Sequence, residues 1–207
     1  MNMTEDKQNN IPSEESMDSP YSSLTGSFGN VELEARDRFY NVEEATPLLD
    51  KIKAMLSESS HGKRLVDLAE AKGAKFYLIK SKKLQSATTP NLEVFLAAEP
   101  GQEEPYMTQV LEFGGALREM EQYLMGYRIP DAESDPLEKA NRAHTKFLDK
   151  IVYMCKIGID LDITYSKKVQ EAIKAFGYED IYNAQVNALG TQAIEDIYLN
   201  AGEKNKA

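Results

Sequence analysis

The chain has one cysteine, Cys155, and no tryptophan in 207 residues. A single thiol excludes an intrachain disulfide and a cysteine-based zinc finger. No apolar run approaches the roughly 20 residues that span a bilayer. Positive charge is in deficit: 24 Lys+Arg stand against 34 Asp+Glu, a net charge of −10 and a pI of about 4.8. Phosphate binding needs a basic surface, so a general nucleic-acid binder is excluded, as is a polybasic anchor to anionic lipid. The opening Met-Asn-Met-Thr-Glu-Asp-Lys has no basic stretch followed by an apolar core, so no secretory signal is expected. The expectation is a soluble, cytoplasmic protein with no membrane partner.

Residues 1–29 are rich in Ser, Asn, Pro, Gly and acid, with Ile11, Leu24 and Phe28 among the few large apolar side chains. Such a stretch cannot bury enough surface to offset its ordering entropy and reads as a disordered acidic tail. Residues 30–202 read as one mainly helical domain, and 203–207 as a short tail. Thr46-Pro47 suggests a helix start, and Leu48, Ile52, Met55 and Leu56 then recur at helical spacing. Ser59, Ser60, His61 and Gly62 interrupt it. A second short helix carries Leu65, Leu68 and Ala69 and stops at Gly73. Lys75–Ile79 and Leu92–Leu96 read as two strands, a hairpin with a long loop through Pro90-Asn91. A long helix is expected over 105–127, with Val110, Leu117 and Leu124 apolar. After a turn containing Pro130, another spans 136–157, through Phe147 and Ile151, and ends near Gly158. Ser166 suits the cap of a helix carrying Val169, Ile173 and Phe176. Two short helices, 181–189 and 191–201, are divided by Gly190. The fold class is therefore α+β, mainly α, with a small two-stranded element.

The stretch Gly115-Ala116-Leu117-Arg118-Glu119-Met120-Glu121-Gln122 lies on the first long helix, and a second long helix follows after a turn. A zincin places two His at i and i+4 on one helix face, with a Glu between them and a third ligand on the next helix. The segment resembles an uncharacterised family of bacterial metallopeptidase-like proteins whose helix reads His-Glu-Leu-Arg-His-x-x-Gln. Leu117, Arg118 and Gln122 agree with that pattern. Gly115 stands where the first His ligand belongs, Ala116 where the general base belongs and Glu119 where the second His belongs. The family's next helix carries a Glu-Ala-Asp-Ala-like patch; the counterpart here is Lys139-Ala140-Asn141-Arg142-Ala143-His144, with Lys139 for Glu and Asn141 for Asp. The resemblance implies a zincin-like core that has lost its ligands and base, with no metal and no cofactor. Glu112, Arg118, Gln122 and His144 are the residues that would line whatever pocket persists.

The remaining candidates are weaker. Glu112 and Glu119 are about 10 Å apart along a helix, too far to chelate one ion directly, and the acids 112, 119 and 121 read as solvated. His144 and Cys155 are about 16 Å apart on one helix, beyond reach of a nucleophile–base pair. Cys155, among Ile151, Met154 and Ile157, reads as a buried, inert thiol. Ser57, Ser59, Ser60, His61 and Gly62 read as helix-end residues. Asp160 and Asp162 match only a fragment of a calcium loop. Lys80, Lys82 and Lys83 read as a solvated sheet edge. Tyr165, Tyr178, Tyr182 and Tyr198 either fill the core of the C-terminal helices or line a partner groove.

These readings lead to a non-catalytic metallopeptidase-like domain acting as a binding or regulatory module with a protein partner. Two other classes stay open. One is a hydrolase using carboxylates such as Glu112, Glu119 or Glu121, which needs a carboxyl of raised pKa. The other is a plain helical protein-interaction domain.

Overall fold

In the computed structural model, which describes residues 39–81, 83, 86–127 and 135–204 with side chains as far as 200, the first helix starts ahead of Thr46. Helix α1 (Val42–Leu56) is capped by Asn41, whose side chain accepts from the Glu44 N–H at 2.8 Å. Thr46 instead donates its hydroxyl to the Val42 carbonyl at 2.6 Å, and Pro47 lies inside the helix. The bond that Pro47 forgoes would end on Glu43; both residues are exposed, so water can take up the freed carbonyl. Helix α2 (Ser60–Ala71) is capped by Ser59, which accepts from the Gly62 N–H. Gly73, at φ +67°, ends it as expected. Leu65 and Ala69 are fully buried.

The β element has three strands: β1 (Lys75–Lys80), β2 (Ser86–Thr88) and β3 (Glu93–Ala98), in the order β1-β3-β2. The expected hairpin is corrected. β1 and β3 run parallel, with Lys75 opposite Glu93 and Lys80 opposite Ala98, and the hairpin partner of β3 is the short β2. The polar linker makes this possible by supplying its own strand before turning back at Pro90-Asn91. Side chains alternate across the sheet. Leu78, Val94, Leu96 and Ala98 join the main core, while Tyr77 stacks on Phe95 at 5.0 Å on the other face.

Helix α3 (Met107–Leu124) crosses the centre. Its start is tied to β3 by buried Gln109, which accepts from the Tyr106 N–H at 3.0 Å and donates to the Ala97 carbonyl at 2.9 Å. Val110 and Leu117 are fully buried; Leu124, at the end, is not. Helix α4 (Pro136–Phe176) begins where expected, at Pro136, and Asp135 caps it. It does not end at Gly158. It runs on to Tyr165, whose φ of −125° and ψ of 31° break it into two arms. A straight helix would hold Gly158 and Val169 about 16 Å apart. A Cβ on Gly158 would instead lie 3.4 Å from Val169 and 3.4 Å from Tyr182, so the second arm folds sharply back. The glycine serves packing rather than termination. Phe147 is about half exposed, so it is not one of the inward positions. Helices α5 (Glu179–Val186) and α6 (Thr191–Lys204) follow on either side of Gly190.

The fold is α+β and mainly helical. α3 is backed by the sheet, by α1 and α2, and by the first arm of α4. Its Phe113, Leu117 and Met120 meet Ile52, Leu56, Leu65, Ile151, Met154 and Ile157 in one core. The described residues all fall within one unit, Arg36–Ala207. The tail expected over 1–29 and the turn at Pro130 lie outside the described residues. Of the tail expected over 203–207, residues 203 and 204 belong to α6 and the rest lie outside.

Gly62 offers a sharp test of this packing. A Cβ there would lie 2.1 Å from the Leu56 carbonyl oxygen, a backbone atom that cannot rotate away. Gly62→Ala gains about 1 kcal/mol of helix propensity but forces the α1–α2 corner apart, at a cost of about 1–3 kcal/mol or more. Urea unfolding should show a net loss of stability. A midpoint at or above that of the parent would show that the corner yields freely.

Candidate functional site

The segment that resembles a metallopeptidase helix lies on α3, facing the first arm of α4 at very close range. A Cβ on Gly115 would lie 2.7 Å from Lys150 Cε and 2.8 Å from Met154 Sδ; one on Gly114 would lie 2.6 Å from Ile157 Cδ1. Ala116 is fully buried, and its carbonyl accepts a second hydrogen bond from Thr88 Oγ1 at 2.9 Å. Two of the three positions at which the resembled motif does its chemistry are thus inside a packed interface. The third, Glu119, is bonded to Lys146 of α4, which also donates to Tyr123 Oη at 3.0 Å. Lys139 and Asn141 are exposed at the start of α4, and Gly115 instead faces Lys150 and Met154 further along that helix.

The acids read as solvated are all matched to bases. α3 and α4 run antiparallel, so Glu112 meets Lys150 at 3.0 Å and Glu119, two turns on, meets Lys146, one turn back. Glu112 also accepts from Ser86 Oγ at 2.6 Å. Arg118 grips Asp149 with two bonds, Nε–Oδ2 at 2.7 Å and Nη2–Oδ1 at 3.0 Å. Glu121 is buried and held by two cations. Arg64 of α2 reaches both its oxygens, one at 2.8 Å, and Arg118 reaches Oε2. Arg64 also donates to Tyr153 Oη. The Arg64 guanidinium, more than any other group, holds the Glu121 carboxyl below the usual range; burial opposes this and Arg118 reinforces it. Burial alone would lower the Lys146 pKa, but Glu119 and Tyr123 keep the ammonium charged.

Residues expected to line one pocket are divided among several places. Arg118 and Gln122 border a cleft of about 380 Å³ with Lys146 and Asp149. Gln122 and Glu119 also border a smaller cleft of about 220 Å³. Glu112 lies apart with Ser86 and Lys150, and His144 stacks edge-on against Tyr198 at 4.7 Å.

A second polar centre joins α2 to α4. Ser59 Oγ at 2.7 Å, Ser60 Oγ at 2.9 Å and the His61 backbone N–H at 3.4 Å donate to Asp160 Oδ2, and His61 Nδ1 lies 3.0 Å from the same oxygen. The residue types are those of a serine-hydrolase triad, but the connectivity is not. Both hydroxyls serve the carboxylate, whereas nucleophile activation needs a hydroxyl on the far nitrogen of the imidazole. The arrangement anchors the start of α2. Burial would raise the Asp160 pKa, yet His61, Ser59 and Ser60 together hold it at about 2. Sequence reasoning placed Asp160 in a calcium-loop fragment; its partners lie about a hundred residues away, beyond any local signal.

Cys155 is buried, and burial pushes its thiol up to about 12, so it stays protonated and unreactive near neutrality. Burial likewise raises Tyr178 and Tyr182 to about 12. Tyr182 is in the core, and Tyr165, Tyr178 and Tyr198 pack against it. Among the described residues no three His, Cys, Asp or Glu side chains gather where they could hold a metal ion. The zinc of the resembled motif does not fit the residues present: two positions lack room and the third is neutralised by a lysine. No helix among the described residues is long and apolar enough to cross a membrane. Comparison with known proteins finds no matching family model, no matching curated protein and no matching solved structure.

Two outcomes follow. Glu121→Gln leaves Arg64 and Arg118 facing a neutral amide in a buried position. It should cost about 2–4 kcal/mol in urea unfolding, toward the low side of a buried pair because Arg64 is half exposed. Retention of full stability would show that the two guanidinium groups do not depend on this carboxylate. The second outcome concerns pH. Asp160 has a folded pKa of about 2 against an ordinary 3.8, so its contribution is present above about pH 4 and lost as pH falls toward 2. The stability gap between the parent and Asp160→Asn should therefore shrink over that window. A constant gap would mean that the carboxylate is not specially held in the folded state.

Proposed function

We propose that the protein is a non-catalytic, metallopeptidase-like domain that works in the cytoplasm as a binding or regulatory module. The observation that carries this reading is the space at Gly115, where even a methyl group would collide with Lys150 and Met154. A zinc hydrolase needs three protein ligands and an open coordination position. Here the matching place is a close helix contact bordered by paired charges. Folds can lose chemistry and keep a shaped surface, and function must be argued from the site.

The competing readings have less support. A carboxylate-based hydrolase needs an acid of raised pKa, whereas Glu121 is held low, and Glu112 and Glu119 each face a lysine. A plain helical interaction domain leaves the sheet unexplained; here the sheet packs on α3 and bonds to it through Thr88 and Ser86.

The full chain, purified, incubated with excess zinc and dialysed, should retain no stoichiometric metal by elemental analysis. It should leave casein and a mixed peptide library uncut. One tightly held zinc per chain, or hydrolysis abolished by a chelator, would overturn the proposal.

A further inference from the structure

Where α5 and α6 fold back over the first arm of α4, they leave a cleft of about 630 Å³. Leu148, Val152, Lys156 and Ile159 line it from α4, and Leu189 and Ile194 face them from the α5–α6 turn and from α6. The four α4 residues follow one another at steps of four, four and three, so they share one helix face. Leu148, Val152 and Ile159 are only half-buried and Leu189 is 48% exposed, so this apolar wall stands open to solvent. Apolar walls and this size are typical of sites for small organic molecules. The same volume holds less than two turns of a helix about 10 Å across, too little for a partner helix.

Of the charged and amide side chains in the cleft, one is free. Asp149 is committed to Arg118 and Gln122. The Gln185 amide atoms are sealed below the surface, where no occupant reaches them. Lys156 differs, since no acid of the described residues lies within ion-pair distance of it. Asp160, one turn further along α4, is held by Ser59, Ser60 and His61 instead. The Lys156 ammonium stands 5.8 Å from the centre of the Tyr153 ring, which does not line the cleft. The charge is therefore at the rim, while the stem that carries it springs from between Val152 and Ile159. Cation and apolar wall belong to one face of one helix, within about one turn of each other, so a single molecule meets both.

We propose that this cleft binds a free fatty carboxylate, with its head at Lys156 and its unbranched chain along Leu148, Val152 and Ile159. The match is one of charge and polarity. A chain of net charge −10 repels anions in general, so a lone cation beside apolar surface selects a molecule with one negative charge and a long apolar body. The inference rests on the reading of the protein as a binding module and names its ligand class, and the two fail separately. Bound zinc or hydrolysis would overturn the first and leave this cleft untouched; a cleft that takes no carboxylate leaves the closed contact at Gly115 as it is.

The test is calorimetric titration of the full chain with hexanoate, octanoate and decanoate, each below its micelle concentration. Each should bind saturably, one per chain, with affinity rising about two- to fourfold per methylene along a half-open wall. Octan-1-ol, which keeps the chain and lacks the charge, should bind at least about threefold more weakly than octanoate. Lys156→Met should weaken octanoate by about the same factor and spare the alcohol. Val152→Glu sets a like charge on the wall and offers Lys156 a partner one turn away, so it should abolish octanoate binding. Its thermal midpoint should not fall; Lys156→Met carries the test alone if it does. Absence of saturable binding, several molecules per chain, or equal binding of acid and alcohol would overturn the proposal. So would binding indifferent to both substitutions. A dimer in sedimentation that Val152→Glu dissociates, with no octanoate bound, would place a second copy of the chain in the cleft and overturn it too.

Discussion

The close approach of α3 to α4 is the constraint on which the rest of the molecule depends. Gly114 and Gly115 bring no Cβ to the contact, so Ile157, Met154 and the stem of Lys150 lie directly on the α3 backbone. Approach at that distance partly screens the flanks of the interface from water. Every charged side chain there must then find a partner, because an unpaired buried charge costs far more than a paired one returns. Glu112, Glu119 and Glu121 satisfy this with Lys150, Lys146 and the two arginines. The charges do not make the interface; the small residues make it, and the charges select its register. A slide of α4 by one turn would leave Lys146 and Lys150 opposite the wrong residues, with the acids stranded.

This arrangement also decides the chemistry. A carboxylate becomes a general acid when burial or a like charge raises its pKa, and a metal ligand when its lone pairs are free. Glu121 is buried, which by itself would raise it. Two guanidinium groups more than reverse that effect, and their bonds occupy the oxygens a metal would need. The same reasoning applies to Asp160, whose Oδ2 faces four donor groups from the start of α2. Acidic residues in this net-negative protein act inside as counter-charges and helix anchors.

What was legible in the sequence follows the range of the interactions. The helix start at Pro136 and the stop at Gly73 were readable because such signals act within three or four residues, whereas Ser59, Ser60, His61 and Gly62, read as a helix end, form the cap and first turn of α2. Pro47 misled because a strong cap at Asn41 could start the helix earlier and absorb the cost. Gly158 misled for another reason: a glycine can stop a helix or admit a neighbour, and only tertiary packing separates the two. The parallel pairing of β1 with β3 was out of reach, since local pattern shows that strands exist but not which one intervenes. At the candidate site, Gly115 and Ala116 were legible as an absence of ligands, but not as a point of close packing. Glu112 and Glu119 were read as solvated because Lys150 and Lys146 lie 38 and 27 residues further along. Arg64, Tyr153, Asp149 and Lys146 escaped notice altogether. A charge count on the α4 face, where Lys146, Asp149 and Lys150 recur at helical spacing, was the one signal available.

The break at Tyr165 connects this rigid centre to the C-terminal helices. A continuous α4 would carry its last three turns into solvent, and Val169, Ala172 and Ile173 would be exposed. Folded back, those residues are buried, and Tyr165 fixes the corner by donating to Glu58 of the α1–α2 turn at 2.7 Å. Gly158 admits the returning arm and Tyr182 together, which sets the height at which α5 stands above α4. Ile181, Tyr182 and Ala184 are buried in that contact, yet Gln185, one residue further, is left with both amide atoms sealed and unpaired. The ion pairs between α3 and α4 fix the surface on which these helices rest, because α4 cannot shift without breaking Arg118–Asp149.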